Sequence, residues 1–130
     1  MRQSAWLMAN HPNVYADMAN SKLVFDGEYG KRFIPVLQAM FARYPVTRDR
    51  VMYGSDFWLN QLDPGTAHSV DAFSATCDSQ FTDVPGLREK VMGANALRFL
   101  GFGDAPPNQN RTRLRAYYGR INAAAPDWLG

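Results

Sequence analysis

Two hydrophobic rhythms alternate along this chain, one of period near 3.6 and one short and strand-like. Residues 2–9 read as the end of a helix that stops near Asn10-His11-Pro12, because the residue before a proline is pushed out of the helical region. The segment "NVYADMA" (13–19) predicts a short strand through Val14, Tyr15 and Met18, with Asp17 near its C-terminal end. Residues 21–30 predict a loop with some apolar anchoring. The clearest helical period covers 31–44, where Phe33, Val36, Leu37, Met40, Phe41 and Tyr44 recur at three- and four-residue spacing. Pro35 fits the first turn of that helix, and Pro45 closes it.

The segment "RVMYGSD" (50–56) predicts a second strand, apolar and short, as a strand covered on both faces would be. A turn-rich loop with Asp63-Pro64-Gly65 follows, then a short helix over 68–77 and a turn at Asp83-Val84-Pro85-Gly86. Residues 87–102 predict a helix ended by Gly101, with a stripe of Leu87, Val91, Ala94, Leu97 and Leu100. A polar stretch then leads to a last helix within "RTRLRAYYGRINAAA". Helix, strand, helix, strand, helix is the order of an α/β fold with parallel strands joined by crossover helices. Such folds carry their chemistry at the C-terminal ends of the strands. Asp17 and Asp56 both stand there.

Composition narrows this picture. The 130 residues are 46% hydrophobic and 20% charged, which suits one globular domain with a real core. The formal net charge is +2, but residues 111–130 hold Arg111, Arg113, Arg115 and Arg120 against Asp127, so the remainder is slightly acidic. A general nucleic-acid binder more often carries its excess on the folded body. The arginines with Tyr117 and Tyr118 are read instead as an amphipathic helix, with Leu114, Tyr117, Tyr118 and Ile121 packing and the arginines in water. One cysteine, Cys77, forms no internal disulfide and suits a reducing compartment. No apolar run reaches the ~20 residues of a membrane span, and the N-terminus is a poor signal peptide. The expectation is a soluble, cytoplasmic protein with no nucleic-acid or membrane partner.

The candidate chemistry centres on Asp56, a lone carboxylate after Gly54-Ser55. From the residues alone two readings stay open, a cap on the following turn or helix and a working carboxylate. Ser55 lacks a Gly-x-Ser-x-Gly elbow and is not read as a nucleophile. His11 is read as a surface residue, His68 as a capping or solvent-exposed one, and Cys77 as a small helix residue.

Three stretches together carry a resemblance: Asn13-Val14-Tyr15-Ala16-Asp17, Gly54-Ser55-Asp56 and Asn95-Ala96-Leu97-Arg98-Phe99-Leu100-Gly101. In this order and spacing the chain resembles the C-terminal part of the amidohydrolase superfamily, in its branch of metal-dependent hydrolases and decarboxylases. The resemblance implies the last two strands, with their helices, of a TIM-type (β/α)8 barrel over residues 1–103, followed by a tail with a helix over 104–130. It implies that Asp56 is a metal ligand and the general base that takes a proton from metal-activated water. It places Phe57, Trp58 and Asp17 at a small-molecule substrate site, and it gives Asn95 and Arg98 a structural role tying the last helix to the barrel. The implied cofactor is a divalent metal, zinc first.

The family's His-x-His pair and its further histidine ligands have no counterpart here, since His11 and His68 match neither position. The chain is therefore expected to be the C-terminal piece of a larger enzyme, inactive and metal-free by itself. The missing N-terminal strands, or a partner chain supplying them, would complete it. The alternatives are a non-catalytic assembly module and an aromatic-acid decarboxylase of the same superfamily.

Overall fold

A computed structural model describes residues 2–18, 27–55, 68–104, 106 and 108–129. The chain divides into two compact units, Met1–Asn95 and Ala96–Gly130. In the first, helix α1 (Arg2–Asn10) leads to strand β1 (Ala16–Met18), helix α2 (Gly27–Arg43), a 3-10 turn (Pro45–Asp49) and strand β2 (Val51–Tyr53). Helix α3 (Ser69–Gln80) and a continuous helical run follow. That run consists of α4 (Leu87–Glu89), a π turn (Lys90–Ala94) and α5 (Asn95–Phe99), the last crossing into the second unit.

β1 and β2 are parallel, with Ala16 opposite Val51, Asp17 opposite Met52 and Met18 opposite Tyr53. The expected α/β order with a crossover helix is therefore present. One face of this small sheet packs on the helices. Met8, Leu37, Phe41, Val51, Phe73, Cys77, Phe81, Val84, Leu87 and Val91 form the core, with Ala16, Met18 and Tyr53 packed against it. Phe41 and Phe81 meet edge to face at 5.7 Å. Strand alternation puts Asp17 on the other face, where it is exposed. Among the described residues β2 is only partly covered: Val51 is buried, whereas Met52 and Tyr53 are half-buried.

Two helices differ from their sequence expectation. α2 starts at Gly27, so Pro35 lies inside it and not in its first turn. Leu37 and Phe41 are its buried pair, and Val36 stays 45% exposed. The stripe over 87–100 holds only at its start. Leu87 and Val91 are buried, while Ala94, Leu97 and Leu100 are exposed and Asn95 is fully buried. The π turn is the reason. The Asn95 N–H bonds the Lys90 carbonyl, five residues back, so the turn holds one extra residue and the inward position moves from 94 to 95.

In the second unit, Gly101 ends the helical run as expected. It has φ of 71°, with Phe102 N bonded to Leu97 O at 2.7 Å and Gly101 N to Arg98 O at 3.1 Å, a Schellman turn. Helix α6 (Gln109–Arg120) starts on this turn, with Asn110 N and Arg111 N both donating to Gly101 O. No residue of α6 is buried. Leu114 and Tyr118 are half-buried, but Tyr117 and Ile121, expected to pack, are exposed. Two of the arginines expected in water have internal partners. Arg111 is 2.7 Å from Asp104, and Arg115 Nε donates to Leu129 O at 2.6 Å.

Candidate functional site

The parallel pairing brings the C-terminal ends of β1 and β2 to one side. Asp17 sits in β1 beside Met52, and β2 runs on into Gly54 and Ser55. Asp56, Phe57 and Trp58 lie outside the described residues, so of the sequence candidates only Asp17 is placed.

The start of β2 is held more firmly than its sequence suggests. Arg50 sends its guanidinium back to the Met8 carbonyl at 3.0 Å and to the His11 carbonyl, and it lies 5.9 Å from the Tyr15 ring centroid. It thereby ties the C-terminal end of α1, where carbonyls lack helical partners, to the strand. On the core side, Tyr53 packs on Phe73 with ring centroids 5.0 Å apart, and its hydroxyl is 3.5 Å from Ser69 Oγ.

Asn95 makes the second tie. Its Nδ2 donates to Arg48 O at 2.9 Å and Val51 O at 2.8 Å, with the side chain wholly buried. This is the structural role expected of Asn95. Among the described residues its buried Oδ1 finds no hydrogen-bond partner, and neither does Arg48 Nε. Sequence reasoning missed Arg50. Its only signal was an arginine directly before an apolar strand.

The remaining candidates fall outside a reactive centre. His11 is exposed, with its ring 6.0 Å from Trp6, edge to face. His68 is exposed and precedes α3 without making a side-chain cap, so the capping half of its expectation is not met. Cys77 is buried, and its thiol is pushed up to about 11, first by loss of hydration and then by the neighbouring Asp78 carboxylate. A thiol so placed is inert as a nucleophile near neutral pH.

Clefts of about 430 and 380 Å³ open beside α2, the first walled by residues of α2 and α3 and the second by Ala5, residues of α2 and Tyr44. Among the described residues no three His, Cys, Asp or Glu side chains come together to hold a metal ion, so these residues alone do not fit one. Among them, too, no helix is long and apolar enough to cross a membrane.

A family model described as amidohydrolase matches residues 1–102. No characterised protein and no solved structure matches significantly.

Proposed function

The chain belongs to the amidohydrolase family, and we propose that it forms the last two strands and helices of a (β/α)8 barrel in a metal-dependent hydrolase, with Asp56 as general base. The observation that carries this is the parallel β1–β2 pair, whose strand ends leave the sheet on one side. In a barrel of this kind that side holds the active site. Asp56 stands three positions after Tyr53, the last residue of β2. In this reading Asp56 is also one ligand of a divalent metal, zinc first, and the other ligands come from the rest of the barrel. Phe57, Trp58 and Asp17 line the substrate mouth. Arg50 and Asn95 hold the strand that aims Asp56.

Asp56→Asn in the catalytically complete enzyme tests this. The amide keeps the shape but cannot take the proton, so turnover is lost while the melting temperature stays near that of the parent. Near-normal turnover would reject the role of Asp56. Metal content supplies a separate test. The 130-residue chain, loaded with zinc and dialysed, retains well under one equivalent, and a stoichiometric ion would show that the ligand set lies within the chain after all.

A further inference from the structure

We propose that the cleft between α1 and α2 binds an alkyl carboxylate, a small amphiphile with one anionic head. The cleft has a volume of about 380 Å³, within the ~300–1,000 Å³ common for small-molecule sites. Val36, Ala39 and Met40 of α2 line it together with Ala5 of α1, and Arg43 and Tyr44 stand at the end where α2 stops. All of them belong to the first compact unit. Val36, Ala39, Met40 and Arg43 fall at i, i+3, i+4 and i+7, so they form one stripe about 10 Å long down the helix. The stripe is apolar apart from its last member. Ala39, in its middle, leaves room that a longer side chain would fill.

Charge decides the class of ligand. Arg43 Nε donates to the Tyr44 hydroxyl at 3.3 Å, and its guanidinium carbon lies 5.5 Å from the centroid of that ring. None of the ion pairs among the described residues includes Arg43. The two outer nitrogens of its fork are thus available to a carboxylate, which a guanidinium binds through two parallel hydrogen bonds. Tyr44 accepts from Nε and keeps its own hydroxyl proton to donate. The end of α2 carries about half a negative charge, which the full charge of Arg43 outweighs. Val36, Ala39 and Met40 offer no donor to a sugar or a nucleotide, so an alkyl chain suits the rest of the cleft. α1 and α2 precede and follow β1, and consecutive helices are neighbours in the outer ring of a (β/α)8 barrel. Completing the barrel proposed above therefore leaves this cleft open, and the inference does not rest on the role of Asp56.

Isothermal titration calorimetry of the 130-residue chain with sodium octanoate tests this. One octanoate should bind per chain. Arg43→Gln should weaken it about tenfold or more, and Ala39→Trp, which fills the cleft, should abolish it. Both positions are exposed, so the variants should keep the parent's circular dichroism. Should Ala39→Trp not fold, Arg43→Gln alone decides. Octylammonium, the same chain with the opposite charge, should give no measurable binding. Equal binding of octanoate and octylammonium, or equal affinity of the parent and Arg43→Gln for octanoate, would overturn the proposal, as would a Kd weaker than about 1 mM for the parent. If octanoate does not bind and Ala39→Trp instead dissociates a dimer seen by analytical ultracentrifugation, the cleft is a contact between two copies and the proposal falls.

Discussion

Removing one residue from the middle of a helix normally turns everything downstream by about 100° and ruins its packing. Deletion of Gly93 should be an exception. From Leu87 to Asn95 is eight positions, about 800° in a regular helix, which would leave Asn95 some 80° off the buried face. Asn95 is fully buried because the π turn at Lys90–Ala94 absorbs one residue. Without Gly93 the spacing is seven positions, about 700°, and Asn95 returns to within about 20° of Leu87 in an uninterrupted α-helix. A Cβ on Gly93 would meet nothing within 4 Å, so no packing is lost with it.

The deletion is therefore expected to stay within about 1 kcal/mol of the parent, helped by the removal of a helical glycine. Insertion of an alanine after Gly93 is the counterpart. It swings Asn95 away from Arg48 O and Val51 O, so two hydrogen bonds are lost and two carbonyls lose their donors. The cost is about 3–5 kcal/mol, a large part of the ~5–15 kcal/mol that holds such a domain. At this size that lowers the melting temperature by about 10–15 °C. Urea titration followed by far-UV circular dichroism measures both variants. A deletion as damaging as the insertion would refute the reasoning.

Other outcomes follow from the core and the thiol. Phe41→Ala removes a ring that is only 2% exposed and packs on Phe81, and it should cost about 3–5 kcal/mol by denaturant titration. Cys77 should resist a disulfide reagent at pH 8 in the folded chain and react promptly in denaturant, and prompt labelling of the native chain would contradict its burial. Its folded pKa of about 11 lies above the reference 9.0. The stabilisation is thus complete below pH ~9, where neither state is ionised, and is lost as pH rises toward 11. Alkaline unfolding curves of the parent and Cys77→Ala should diverge over that window. A parallel pH dependence would count against the assignment.

What the sequence determined by itself was whatever rests on local physics. Pro12 and Pro45 stop helices because the backbone before a proline leaves the helical region, and Gly101 ends the last run because its φ of 71° suits glycine. The two short strands and the crossover helix between them were legible from periodicity. The family was legible from three spaced motifs, and the match over residues 1–102 agrees. Tertiary structure alone decided what depends on partners distant in sequence. The π turn is a slip of backbone hydrogen bonding with no side-chain signature, and it exchanged Ala94 for Asn95 at the buried position. Arg50 became a tie rather than a surface charge because folding brought the end of α1 within its reach, some forty residues away in sequence. Arg111 and Arg115 likewise found internal partners that a helical wheel does not show. Local preference is written in neighbouring residues, whereas the partner of a long polar side chain is set only when the chain has closed around it.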